Sequence, residues 1–312
     1  MKKHANSYED IKNIECLEIQ WSGRNGNHVE FQERELQIQE NFIRYNIKIR
    51  CFCDEQYIEI KSSRPVKFDL LYFWTVRIRR YIYLFDGAFY VLEKCSMNKE
   101  DITDIIRLAE VGYFQSAKYK HKIPLRMDDR IFKRYFLKWK LLDKKLGIIN
   151  QMELYASNIK GLPADVRISM LIECYEAFAN WLEKQGLINV MAKSKNTQNL
   201  STHRKRGRNT LKDCLIALLE IYGKPLFLKE YRSRRSLVTR FVKTRNKVFH
   251  VNKKNKALTG AYSGFYAVKL DWLYRYIVWL QLGIDRKELD GVIMEEVTKF
   301  EQAFPQLIYG SK

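Results

Sequence analysis

Hydrophobic periodicity changes partway along this chain, and that change limits the folds open to it. Apolar and polar residues alternate through Ile14-Glu15-Cys16-Leu17-Glu18-Ile19-Gln20-Trp21 and again through Ile43-Arg44-Tyr45-Asn46-Ile47-Lys48-Ile49-Arg50. Alternation of this kind predicts strands with one buried face and one wet face. Gly23-Arg24-Asn25-Gly26-Asn27-His28 supplies turn chemistry between them, and Tyr57-Ile58-Glu59-Ile60-Lys61 adds a further strand. From Phe68 to Phe85 the apolar spacing becomes helical, with Arg77, Arg79 and Arg80 interspersed. Asp86-Gly87 then turns the chain into a strand over Ala88-Phe89-Tyr90-Val91-Leu92.

Beyond about residue 126 the pattern is helical throughout. A basic, aromatic helix covers residues 126–145, with Phe132, Tyr135, Phe136 and Trp139 at i, i+3, i+4 and i+7. That spacing predicts core packing, the alternative being exposed rings that stack on bases. Gly161-Leu162-Pro163 interrupts the pattern, and the domain boundary is placed shortly before it, near residue 150. Four helices follow, over about 164–184, 210–222, 236–250 and 262–282. Gly186, Gly223 and Gly283 sit at the stops of the first, second and fourth. A polar, basic loop from Ala192 to Arg208 joins the first two. The expected fold class is α+β: a strand-rich domain over 1–150, then an all-α bundle over 151–312.

Charge narrows the partners. The chain has 56 Lys and Arg against 36 Asp and Glu, a formal net charge of +20, and a pI near 9.6. Such a field draws in polyanions before any specific contact forms, and nucleic acid is the commonest of them. A membrane surface is the rival, but no apolar run reaches the roughly 18 to 20 residues that span a bilayer. Met1-Lys2-Lys3-His4-Ala5-Asn6 is polar where a secretion signal turns apolar, so a cytoplasmic protein is expected. Six cysteines are scattered, and only Cys51-Phe-Cys53 is close-set; without a second Cys/His pair at zinc spacing, buried reduced thiols are expected.

The helix over 236–250 is where packing alone does not explain the sequence. At 100° per residue, Leu237, Val238, Phe241, Val242, Val248 and Phe249 fall within about 140° and define an apolar stripe. Arg245 lies in the middle of that stripe. A guanidinium keeps its charge at any ordinary pH, so it must meet an anion there. Asn246 and His250, four residues apart, stack along the edge of the same face. One alternative is structural: Arg245 pairs with Glu173 or Glu176 on the helix over 164–184, and His250 is a surface residue. Arg24-Asn25-Gly26-Asn27-His28 is nearly the same string, but it sits in a glycine turn with no apolar helix behind it.

Arg245-Asn246-Lys247-Val248-Phe249-His250, late in one long helix and followed by a loop and a second long helix over 270–283, resembles the Arg-x(4-6)-His signature of the HEPN superfamily. With residues 168–181 as the opening helix, the order is similar to the ApeA branch, and the strand-rich first part is similar to the ApeA amino-terminal domain. The resemblance implies a metal-independent endoribonuclease acting in abortive anti-phage defence, with Arg245, Asn246 and His250 as catalytic residues and no cofactor. RNA supplies its own 2′-hydroxyl nucleophile, so the expected products are a 2′,3′-cyclic phosphate and a 5′-hydroxyl. The expected partners are RNA, a second copy in a homodimer, and a phage-derived trigger or an antitoxin. The first domain is left for sensing or regulation. A catalytically inactive HEPN module that binds RNA or protein is the second reading.

Substrate capture has a visible source. From Lys229 to Lys256 there are eleven Lys or Arg against one acid, Glu230. Arg232, Arg234, Arg235, Lys247, Lys253 and Lys254 are the candidate RNA contacts. The chain lacks an evident carboxylate cluster for magnesium, and no metal site is expected.

Overall fold

The computed structural model describes residues 14–22, 29–53, 55–87, 91–109, 129–159, 161–190, 210–250 and 257–309. The chain is α+β and divides into two compact units, one of residues 1–143 with 158–160 and one of residues 144–157 with 161–312.

The first unit holds a six-stranded antiparallel sheet, built from β1 (Ile14–Ser22), β2 (Val29–Glu40), β3 (Ile43–Cys53), β4 (Glu55–Val66), β5 (Val91–Met97) and β6 (Glu100–Asp101) in the spatial order β2-β3-β4-β1-β5-β6. The two alternating segments are therefore not neighbours. β1 lies between β4 and β5, while β3 lies between β2 and β4. The register aligns one apolar row across the sheet, Leu36 opposite Ile47, Ile47 opposite Ile60, and Ile60 opposite Leu17. All four are buried. Helix α1 (Phe68–Asp86) packs on this face, with the Trp74 ring 5.5 Å from Tyr45. It ends at Gly87, whose φ of 62° suits a residue without Cβ and whose N–H donates to the Tyr83 carbonyl at 2.8 Å.

A short helix α2 (Thr103–Ala109) follows the sheet, and α3 (Asp129–Leu146) is the basic, aromatic helix. Phe132, Tyr135, Phe136 and Trp139 are all buried, as their spacing predicts. Tyr81 of α1 donates to the Phe132 carbonyl at 3.1 Å, and Trp139 donates through Nε1 to the Arg77 carbonyl at 3.0 Å. Arg77 and Arg80 of α1 converge on Asp143 of α3 at 3.4 and 3.2 Å, so the arginines within the apolar helix meet a buried carboxylate. The turn string over 23–28, the proposed strand residues 88–90 and the loop over 192–208 lie outside the described residues.

The second unit is helical: α4 (Ile148–Asn158), α5 (Ala164–Lys184), α6 (Leu211–Ile221), α7 (Arg234–His250), α8 (Ala261–Leu282) and α9 (Arg286–Ala303). Helix α5 packs against α6, α7 and α8. Helix α8 is enclosed on nearly every side, so apolar residues occur all around it rather than on one stripe. Its buried charges are consequently paired. Lys269 Nζ meets Glu230 at 2.9 and 3.0 Å and Glu301 at 2.7 Å, and Arg275 meets Asp271 at 3.3 Å. Gly283 ends α8 at φ 86°, the left-handed stop expected of it. Gly223 does not adopt that conformation. A Cβ there would lie 2.6 Å from the Leu219 carbonyl oxygen, so the residue is small because the chain doubles back closely after α6. Among the described residues no helix is long and apolar enough to cross a membrane.

Candidate active site

The site is assembled on α7. Leu237, Val238 and Phe241 are fully buried and seat the first turns of the helix in the bundle. Thr244 continues the buried line: its hydroxyl donates to the Arg240 carbonyl at 2.8 Å and accepts from the Leu258 N–H at 2.8 Å. That second bond ties the returning chain back to α7. Gly260 N–H and the Ser263 hydroxyl donate to Asp165 at 3.1 and 2.6 Å, which anchors the start of α8 to the start of α5. The last turns of α7 thus project from a framework fixed on two sides.

Past Phe241 the apolar stripe does not stay buried. Val242 and Val248 are half-buried, and Phe249 is 50% exposed. Arg245 accordingly lies at the border of the core rather than inside it, keeping 23% of its side-chain surface in solvent. The anion it requires is Glu173 of α5, whose Oε2 accepts from Arg245 Nε at 2.7 Å. This hydrogen bond, with the attraction of Glu173 and Glu176, raises the guanidinium pKa further, against the lowering effect of burial. Arg245 Nη1 also donates to Asn246 Oδ1 at 3.1 Å, and its guanidinium lies 5.5 Å from the Phe249 ring centroid. The structural pairing left open in the sequence is therefore present, with Glu173 as the partner, but at the solvent boundary.

His250 is the final residue of α7, and its side chain lies outside the described residues. Lys253 and Lys254 lie outside them entirely. Among the basic candidates, Arg232 and Arg235 are exposed and Lys247 is half-buried. Arg234 differs from these. It pairs with Glu220 at 3.3 Å, donates to the Tyr231 carbonyl at 2.9 Å and lies 4.6 Å from the Tyr231 ring centroid, so its head group braces the entry to α7. Glu230, the one acid in the basic run, is fully buried against Lys269. That acid therefore subtracts nothing from the exposed charge of the run, while Lys229, Arg234 and Arg245 each pair with a carboxylate from elsewhere in the chain.

Helix packing adds residues that the sequence analysis did not single out. Lys243 is a half-buried member of α7, and the exposed Lys212 of α6 lines the same cavity as Arg235. No local signal marks Lys212, because its position follows from the packing of α6 beside α7.

Metal chemistry has one geometric candidate among the described residues, in the first unit. Cys16, Glu18 and Glu59 hold ligand atoms within 4.8 Å of one another, a grouping the sequence did not suggest. Glu18 already accepts from the Tyr57 hydroxyl at 3.1 Å and the Ser96 hydroxyl at 2.9 Å. Burial and the nearby carboxylates push the Cys16 thiol up to about 11, which disfavours the thiolate a metal needs. The cluster fits a hydrogen-bonded sheet face better than an ion site.

Residues 146–288 match the Apea-like HEPN family, a span that covers α4 to α8 and the start of α9. No curated protein and no solved structure matches the chain. The helical carboxy-terminal part of this chain is therefore similar to the Apea-like HEPN family over residues 146–288.

Proposed function

We propose that this domain is a metal-independent endoribonuclease acting in abortive anti-phage defence, with Arg245, Asn246 and His250 of α7 as its catalytic residues. The observation that carries the reading is the position of Arg245. A guanidinium anchored to Glu173 through Nε, yet still solvent-accessible, is held in place to meet a phosphate. The reaction needs no external nucleophile. The 2′-oxygen attacks the adjacent phosphorus, its proton passes to a base, and the P–O5′ bond breaks as the departing 5′-oxygen takes a proton from an acid. A histidine, with a reference pKa of about 6.5, serves in either role near neutral pH. Arg245 offsets the charge that builds on the phosphate oxygens, and Asn246 orients the arginine head group or bonds the phosphate.

Arg245 and His250 are five residues apart, so their positions on α7 diverge by about 140°. A second copy placed about a two-fold axis beside α7 supplies the missing half of the clamp, with one histidine accepting a proton and the other donating it. The active unit is then a homodimer in the cytoplasm. Arg232, Arg235, Lys247, Lys253 and Lys254 hold the strand by its phosphates, Arg234 supports them from its ion pair, and a phage-derived trigger or an antitoxin sets the activity through the first unit. Cleavage of labelled RNA in EDTA, with the DNA counterpart as control, tests the reading: cyclic-phosphate ends from RNA alone support it, and no cleavage contradicts it.

The Arg245–Glu173 ion pair favours one second reading, an inactive HEPN module in which the arginine is structural and RNA is bound but not cut.

A further inference from the structure

A cavity of about 470 Å³ opens between α6 and α7, away from Arg245. Its more buried lining is apolar, from Val190, Ile216 and Ala217, while Lys212 and Arg235 stand exposed around it. The volume lies within the range of sites that hold a small organic molecule. Two carboxylates also line it. Glu220 is held by Arg234 at 3.3 Å, and Asp213 is bonded by the Thr210 hydroxyl at its own helix start.

The placement of this cavity along α7 suggests its occupant. At 100° per residue, Arg235, Thr239, Lys243, Asn246 and His250 fall at 0°, 40°, 80°, 20° and 60°, a single line along one face of the helix. The cavity lies at the upstream end of that line, and no Asp or Glu occurs anywhere in α7. A polyanion laid along this face toward Asn246 meets cations and no repulsion from the helix itself.

We infer that the α6–α7 cavity is a base-binding subsite for one nucleotide of the RNA strand, an inference that rests on the nuclease reading above. The apolar wall takes the flat face of the base, Asp213 and Glu220 accept from its N–H groups, and Lys212 and Arg235 meet its phosphate. Thr239 precedes Asn246 by seven residues and His250 by eleven, about 10 and 16 Å along the helix axis at 1.5 Å per residue. Stacked bases advance about 3.4 Å each, so the base read by the cavity lies roughly three to five nucleotides from the cut.

The test uses the full chain and the four ribonucleoside 5′-monophosphates in equilibrium dialysis, with Thr239→Trp and Ile216→Trp filling the cavity from opposite walls. The expected result is that at least one monophosphate binds wild type and binds both variants about tenfold or more weakly, at unchanged melting temperature. Lys212→Glu, at an exposed position, gives the same readout if a tryptophan unfolds the chain. Sequencing the 5′-hydroxyl ends of a randomised RNA pool should show a base preference three to five nucleotides from the cut that the tryptophan variants lose. No monophosphate binding, or equal binding by wild type and the variants, overturns the subsite. Metal-free RNA cleavage that persists in that case leaves the nuclease reading standing. Monophosphate binding that the variants abolish, without RNA cleavage by wild type, upholds the cavity and overturns the nuclease.

Discussion

Arg245 Nε and Glu173 Oε2 lie 2.7 Å apart where α7 packs on α5, with both side chains partly in solvent. An ion pair in that setting contributes little to stability, about 0 to 1 kcal/mol, but it fixes the direction of a flexible arginine. Glu173→Ala should therefore lower the rate of RNA cleavage about tenfold or more while moving the melting temperature very little. Glu173→Gln, which keeps an acceptor for Nε, should recover part of the loss. Single-turnover cleavage alongside thermal melts reads both effects. Full activity in Glu173→Ala would remove the positioning role.

The position of that pair shows where sequence reading succeeds and where it stops. Periodicity locates α5, α7 and α8 closely, and it identifies the face of α7 that carries Leu237, Val238 and Phe241. It cannot say how far a neighbouring helix covers that face. Hence Arg245, expected in the middle of a buried stripe, instead lies at its wet end beside an exposed Phe249. Strand β2 was hidden for local reasons. It is an edge strand rich in charge, with only Leu36 and Ile38 fully inward among its described side chains. Its hairpin turns through Asn41 and Phe42 at φ 50° and 62°, where Asn-Gly would have been the recognisable signal. The charges of α8 were illegible for the opposite reason, since Lys269 looks like a surface residue until Glu230 and Glu301 close over it.

That buried lysine carries a stability prediction. Replacing Lys269 with Met leaves the enclosed Glu230 without its cation, while Glu301 keeps Lys229 at 3.0 Å, and loss of one partner from a buried ion pair costs about 3 to 5 kcal/mol. Urea unfolding followed by circular dichroism should show a midpoint lowered accordingly. A midpoint within error of wild type would mean that water reaches Glu230 and Glu301.

Glu153 supplies a pH prediction. Burial first, and the negative charge of Asp271 second, raise its pKa well above the ordinary 4.5, against the lowering effects of Ser157 and Arg275. The folded state therefore retains a proton that the unfolded chain releases. Stability from this group is fully present below about pH 4.5 and is lost as pH rises from there to the folded value. Glu153→Gln removes the titration, so the stability of wild type relative to this variant should fall as pH rises through that window. Parallel stability–pH curves for the two proteins would contradict it.

On the proposed reading, basic residues on and before α7 should make RNA affinity sensitive to salt. Each phosphate contact to single-stranded RNA contributes about −0.7 to the slope of log K against log salt. Replacing Arg232, Arg235 and Lys247 with Ala should make that slope shallower by about two, with folding intact. Arg234→Ala should act mainly on stability, because its head group is engaged by Glu220 and Tyr231. Fluorescence anisotropy across a salt series separates the two cases, and an unchanged slope in the triple variant would place the RNA elsewhere.

The central claim is that His250 moves protons in a reaction requiring no metal, and one assay addresses it directly. Wild type and His250→Ala, matched in circular dichroism and melting temperature, are incubated with end-labelled RNA in EDTA, and the products are resolved by their terminal groups. The account predicts 2′,3′-cyclic phosphate and 5′-hydroxyl ends from wild type and at least about a hundredfold slower cleavage by His250→Ala. Equal cleavage by the two proteins, or cleavage that requires added metal, would contradict it.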